Sequence, residues 1–372
     1  MKALIFSMTC GEGHNMMANS LAQAFTSQGV ETKIVQTFGY DQKRVEKENA
    51  MYLWACSHIP KPYDFVWNRL RNKKFNPNKL PGFVKNCLPY FTEQIAQFNP
   101  DIIMTTHLYA SSVVSYMRNQ NLLPKGVVTG AILQDFCLAP YWGFSTGMDY
   151  IFQPYDNTTQ DLLNIGFKQS QIITMGLPIR EQFYQPYNQN KVREKLNLPG
   201  NFLVLTVGGG NNLGNNFKLI KSITKKNLKD VTVVIINGKN QKNYQKIQKY
   251  IQKNKIKSII NVGYASNMHE YMQAVDAVIS RGGSSSLTEV ISVQKPLIIR
   301  EKLILNEKIN KELFIENGCA LGMEKLSQAA QKIDMLKSDA TLYNNMLENI
   351  KKMRRTNSAQ NITKFLIDKV KK

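Results

Sequence analysis

Cysteine, histidine, acidic residues and long apolar runs are what this 372-residue chain has least of. Its five cysteines (Cys10, Cys56, Cys87, Cys137, Cys319) are scattered with no C-x-x-C pair, and only four histidines accompany them. Such spacing suits neither a zinc site nor a disulfide framework, so free thiols in a reducing cytoplasm are expected. No stretch approaches the ~18 consecutive apolar residues of a membrane span. The opening MKALIFSM has one lysine and too little apolar length for a secretory leader, so neither secretion nor a transmembrane anchor is expected. No helix-turn-helix, aromatic RNA-binding run or P-loop is present, which leaves a nucleic-acid-binding reading without a motif.

Acidic residues number 27 against 48 Lys and Arg, a net charge of +21. The excess is uneven: residues 1–180 carry +4 and the remainder +17. Such a field favours an anionic partner, whether lipid headgroups, nucleic acid or a phosphorylated substrate. With 43% hydrophobic residues the chain is globular, and its length suits two domains.

Both halves alternate strand-like and helix-like segments. In the first, Ala3–Met8, ETKIVQTF, PDIIMTTH, GVVTGAIL and DYIFQP are short apolar runs; in the second, NFLVLTV, VTVVIING, SIINVGY, DAVIS and PLIIR. Strands alternating with helices imply two doubly wound Rossmann-like α/β domains with parallel sheets, whose strand-end crevices would face one central cleft. The boundaries read as 1–180, 181–340 and a helical segment 341–372 packing back on the first domain, with the break in the proline-punctuated stretch 176–190.

Two loops of the second half have the make-up of a phosphate cradle. Gly208, Gly209 and Gly210 lie between a strand and a helix. In RGGSSSLT, Arg281 supplies charge, Gly282 and Gly283 allow close backbone approach, and Ser284, Ser285 and Ser286 offer hydroxyls at a helix start. Glu289 is read in the first turn of that helix, either accepting ribose hydroxyls or capping with Ser286. The first half has a different turn, Gly11-Glu12-Gly13-His14. It lacks the third glycine of G-x-G-x-x-G, holds an acid that would repel phosphate, and its second strand ends in Gln36 where a dinucleotide site wants an acid. Its expected use is to place a neutral His14 at a helix N-terminus as a general base.

In order along the chain, GEGH with MANSLAQAF, GLPIR, VGGG, GYASNMHEYMQAVDAVISRGGSSSLTEV, KPLII and NEKIN resemble the processive diacylglycerol glucosyltransferases and monogalactosyldiacylglycerol synthases, relatives of the peptidoglycan lipid-intermediate N-acetylglucosaminyltransferase. The likeness spans about residues 1–320 and is most specific over 262–314. It implies a GT-B fold, an inverting mechanism, a UDP-sugar donor and no metal or other cofactor; no Asp-x-Asp pair occurs in the chain. By position it implies His14 as catalytic base and the backbone near Tyr264 for uracil; Asp135 is the second candidate for the base. Loops 208–210 and 283–286 would hold the diphosphate, Glu289 the ribose, and Asn306, Glu307 and Asn310 the hexose. The run Arg281-Gly282-Gly283-Ser284 replaces the family's Lys-Pro-Gly-Gly type, and Asn306 stands where Gln is frequent. LQDFCLAPYWGF likewise departs from the family's pattern, so the hexose and the acceptor stay open.

For the acceptor side, residues 52–91 interleave cations with rings: Trp54, Phe65, Trp67 and Phe75 among Arg69, Arg71, Lys73 and Lys74. That mixture fits a headgroup interface and, equally, single-stranded nucleic acid or a helical subdomain core. Helix 241–254 places Lys242, Lys246, Lys249 and Lys253 on one face. The expectation is therefore a peripheral enzyme on the cytoplasmic face of an anionic membrane. It would move a hexose (glucose first, galactose next) from a UDP-sugar to diacylglycerol or its glycosylated product, with no nucleic acid as partner. The rivals are a UDP-sugar epimerase, a transferase with another acceptor, and a basic nucleic-acid-binding protein; oligomeric state has no signal.

Overall fold

The computed structural model describes all residues except 10, 11, 59, 208–215, 227, 301–303 and 372; for 49, 52, 53, 55–58, 60, 61 and 63 it describes the backbone alone. The chain forms two units. The first comprises Met1–Glu181, Ile304–Asn306 and Arg355–Lys372; the second comprises Gln182–Leu303 and Glu307–Arg354.

In the first unit six strands, β1 (Lys2–Ser7), β2 (Glu31–Gln36), β3 (Ile102–Thr105), β4 (Val128–Ile132), β5 (Tyr150–Gln153) and β6 (Ile172–Thr174), form one parallel sheet in the order β2-β1-β3-β4-β5-β6. Strand β1 is buried on both faces, as a parallel strand under helices must be. Its alternation divides the core: Leu4, Phe6 and Met8 join one cluster, with Phe6 stacked on Phe91 at 3.9 Å, while Ala3 and Ile5 join the other. The second cluster is closed by helix Gly13–Ser27, through Met17, Leu21 and Phe25, and by Ile362 and Leu366 of the final helix Ser358–Val370. Gln28 Nε2 donates to Thr363 Oγ1 at 2.5 Å across that contact. Gly29, at φ +77°, lets the chain turn from helix Gly13–Ser27 into β2.

The second unit repeats the plan with β7 (Phe202–Val207), β8 (Val231–Ile236), β9 (Ile259–Val262), β10 (Ala277–Ser280), β11 (Leu297–Ile299) and β12 (Ala320–Gly322), all parallel, in the order β12-β11-β10-β7-β8-β9. Counted within the unit this is 3-2-1-4-5-6 read from the far edge, the dinucleotide-type order, with its reversal between β7 and β10. Asp276 fixes the opposite end of that pair. Its carboxylate takes Leu203 N–H and Arg193 Nη2, each at 2.7 Å, and Gln189 Nε2 at 3.0 Å.

The returning tail is shorter than the sequence reading had it. Helix Ala340–Met353 belongs to the second unit, where Met346 joins the core and Tyr343 Oη donates to Asp276 O at 2.9 Å. Only Arg355–Lys372 goes back to the first unit.

Candidate active site

In each unit the residues of interest leave the carboxyl ends of the strands where the sheet order reverses, the place where open α/β sheets bind ligands. In the first unit these are β1 and β3. His14 stands in the first turn of the helix that follows β1, and its Nδ1 lies 2.5 Å from the carbonyl oxygen of Thr106, just after β3. A carbonyl only accepts, so Nδ1 carries the proton and Nε2 holds the lone pair. Burial lowers the His14 pKa to about 4, against a smaller opposing effect of the Thr106 hydrogen bond.

The residues around it are joined by a hydrogen-bonded cluster at the ends of β1 and β2. Gln36, in place of an acid, donates to Asn15 Oδ1 at 3.0 Å and pairs through Oε1 with Thr9 Oγ1 at 3.1 Å. Asn15 in turn takes Ser7 Oγ at 2.8 Å and donates to Thr9 at 3.0 Å. The end of β2 is thus spent on holding the turn. Glu12, exposed, is the N-cap of the helix without a side-chain cap bond.

His107 is a residue the sequence reading passed over. It caps helix Leu108–Asn119, its Nδ1 accepting the Tyr109 N–H at 3.1 Å, and its ring meets that of His14 edge-on at 4.6 Å. With Nδ1 an acceptor, its proton sits on Nε2. Burial, and then the neighbouring His14, hold its pKa well below the ordinary value. In the sequence it closes the apolar run PDIIMTTH, and only the pairing of β1 with β3 brings it beside His14.

Asp135 follows β4 and takes a hydrogen bond from Asn306 Nδ2 at 3.2 Å, so the two are together within the first unit. Asn306 Oδ1 is buried and has no hydrogen-bond partner among the described residues. Cys137, two residues on, is buried, and burial together with the Asp135 charge pushes its thiol well up.

In the second unit β7 and β10 pair side by side, so the loops after them leave from neighbouring strand ends. Gly208, Gly209 and Gly210 lie outside the described residues. The β10 loop is described: Gly282 at φ +96°, then Gly283 as N-cap of helix Ser284–Ser292, with Ser284 buried and Ser285 and Ser286 partly so. The helix Leu305–Glu316 locks onto it. Arg281 Nη2 pairs with Glu307 at 3.0 Å, and Asn310 Nδ2 donates to Gly282 O at 2.9 Å. Residues read separately for diphosphate and for hexose therefore touch. Arg300, buried at the end of β11, donates through Nη1 to Asn216 Oδ1 at 2.9 Å and ties the β11 end to the helix that follows the β7 glycines. Tyr264, after β9, is exposed.

Two expectations need correction. Glu289 is buried but sits in the second turn, because the helix starts at Ser284, and that first turn holds no acid; capping by Ser286 is excluded, since Gly283 is the N-cap. Of the proposed interfacial rings, Trp67 is buried, and Phe75 stacks on Phe144 at 4.4 Å and packs on Tyr141 at 5.4 Å. Trp54 and Phe65 are exposed, as are Met51 and Val66 beside them and the cations Arg69, Lys73 and Lys74; Arg71 is half-buried. Among the described residues no helix is long and apolar enough to cross a membrane.

Residues 14–179 match the family model of monogalactosyldiacylglycerol (MGDG) synthase, and residues 203–369 match that of the glycosyltransferase family 28 C-terminal domain. The chain belongs to this glycosyltransferase family. Within it, the chain is 26% identical over 370 residues to the processive diacylglycerol beta-glucosyltransferase of Bacillus licheniformis, covering 98% of this chain and 94% of the relative. Its fold is the GT-B fold of such enzymes. It resembles Acinetobacter baumannii MurG (TM-score 0.69, 14% identity, 99% of each chain) and S. aureus MnaA solved with UDP (TM-score 0.66, 16% identity, 100% of this chain and 98% of that one). The first match lies within the first unit, and the second covers most of the second unit and continues into the returning tail of the first; His14 of the glycosyltransferase lies in the MGDG-synthase part and its Arg281–Asn310 cluster in the family 28 part.

Proposed function

We propose that this glycosyltransferase moves a hexose, glucose first and galactose next, from a UDP-sugar to diacylglycerol or a glycosyl-diacylglycerol, with inversion and without a metal ion. The observation that carries the reading is the His14–Thr106 hydrogen bond, which leaves a neutral Nε2 as the base at the switch point of the acceptor unit. Nε2 takes the proton of the acceptor hydroxyl, the hydroxyl oxygen attacks the sugar's anomeric carbon, and the bond to UDP breaks. Backbone amides at 208–210 and 283–286 with Arg281 hold the charge gained by the leaving diphosphate. Glu289 takes the ribose, the backbone near Tyr264 the uracil, and Asn306, Glu307 and Asn310 the hexose. The name of the Bacillus licheniformis relative supports diacylglycerol as acceptor, and UDP in the MnaA structure supports the donor class. The exposed Met51, Trp54, Phe65 and Val66 beside Arg69, Lys73 and Lys74 suit a peripheral position on the cytoplasmic face of an anionic membrane.

The test compares His14→Ala with Asp135→Asn in lipid-dependent release of UDP. His14→Ala is expected to lower kcat by ~100-fold or more, the usual worth of a positioned base, with Asp135→Asn retaining most turnover. Full turnover in His14→Ala would remove His14 from the chemistry.

A further inference from the structure

The second unit carries a cationic face that the transfer chemistry does not use. Moving from β7 to β8 to β9 the chain steps the same way across the sheet, so its right-handed crossovers put helices Asn216–Thr224 and Gln241–Lys253 on one side. The two helices pack together through Phe217 and Tyr250, edge-on at 5.4 Å, and Tyr250 Oη lies 3.1 Å from Thr224 Oγ1. Lys246 sits 4.5 Å from the Phe217 ring centre, and Lys221 lies 5.4 Å from Phe217 and 5.8 Å from Tyr250. The rings thus hold cations from both helices at one seam.

Lys221, Lys225, Lys226, Lys242, Lys246, Lys249 and Lys253 are all exposed, and among the described residues no carboxylate pairs with any of them. From 218 to 257 there are 12 lysines, no arginine and one acid, Asp230, which lies 4.0 Å from Lys337. A face built for solvation alone would mix glutamate with lysine. Helix Gln241–Lys253 has no acid at all, and its pairs Lys242/Lys246 and Lys249/Lys253 stand at i,i+4, where like charges weaken a helix.

We propose that this face docks on the anionic phosphate headgroups of a bilayer, as a second membrane contact independent of the one at Trp54 and Phe65. Lysine without arginine favours headgroups over nucleic acid, because a strongly hydrated point charge suits a diffuse anionic plane, whereas base edges are read by the planar arginine fork. The rings at the seam are committed to each other and to lysines, which leaves no stacking platform for bases. The choice of a bilayer rests on the lipid-acceptor reading above.

The experiment uses the full chain with Lys242, Lys246, Lys249 and Lys253 each changed to Gln. The control carries the same charge loss at the exposed Lys125, Lys168, Lys325 and Lys364. Sedimentation measures partition onto phosphatidylcholine vesicles with and without 30% phosphatidylglycerol at several salt concentrations. Lipid-dependent UDP release is measured separately with acceptor in neutral detergent micelles. The four-site variant is expected to lose at least ~10-fold in partition onto anionic vesicles, each lysine being worth up to about fivefold. Its salt dependence should flatten, its detergent activity should match that of the unaltered chain, and the control should bind nearly normally. Partition equal to that of the control would overturn the proposal. So would unchanged vesicle binding with loss of affinity for single-stranded DNA, which would assign the face to nucleic acid. Absent UDP release with intact vesicle docking would count against the transferase reading and leave the docking face standing.

Discussion

His14 is held neutral by burial and by its place in the first turn of a helix, against a smaller opposing effect of the Thr106 hydrogen bond, which fixes the tautomer. These fix the sign of two pH dependences. For stability, the unfolded chain binds a proton at His14 below pH 6.5 that the folded chain refuses until about pH 4. Stability therefore falls as pH drops through that window, by about 3 kcal/mol at pH 4, and is insensitive to this group above 6.5. His107 is displaced in the same direction and adds to the loss. Melting scans between pH 7 and 4 are expected to show this fall, and His14→Gln to reduce it. For turnover, a base that stays unprotonated down to about pH 4 predicts rates flat from pH 8 to about 5, whereas a base with an ordinary imidazole pKa would show half its activity near 6.5. The sequence made His14 visible because a glycine turn between a strand and a helix says where its side chain starts. It could not show Thr106 or His107, which reach the same place only through the pairing of β1 with β3.

At the scale of elements, the β10 loop is tied to helix Leu305–Glu316 at Glu307 and Asn310. Gly282 has a left-handed φ of +96°, and a Cβ there would come within 3.0 Å of the Glu307 carbonyl oxygen. Gly282→Ala therefore incurs both strain and a clash, costing about 1–2 kcal/mol, and shifts the helix whose Glu307 and Asn310 hold Arg281 and the Gly282 carbonyl. The expected outcome is a ~10-fold higher KM for the UDP-sugar, equivalent to ~1.4 kcal/mol, with a lower melting temperature and an unchanged KM for the lipid. Strand and helix alternation was legible from the apolar runs. The three-residue edge strands β6 and β12 were not, being too short to show a period. The rings of 52–91 were misjudged in part for a related reason. A tryptophan in a basic helical stretch looks the same whether it faces lipid or, as with Trp67, is buried in its own fold.

For the whole molecule, charge and family point the same way. The first unit exposes apolar side chains beside cations, and the second carries most of the +21 charge. A membrane-bound acceptor gives both features a use. The break near residue 180 was legible from its prolines, while the end of the second unit was not. Helix Ala340–Met353 runs amphipathically in either setting, and only its contacts with Asp276 and the second core assign it. The measurement that tests the transferase reading most directly is UDP release by the purified protein from UDP-glucose, UDP-galactose and UDP-N-acetylglucosamine, each with and without diacylglycerol in anionic vesicles. Release from one donor that depends on diacylglycerol, with a glycosyl-diacylglycerol as product, is the expected result. No lipid-dependent release from any of the three would contradict it.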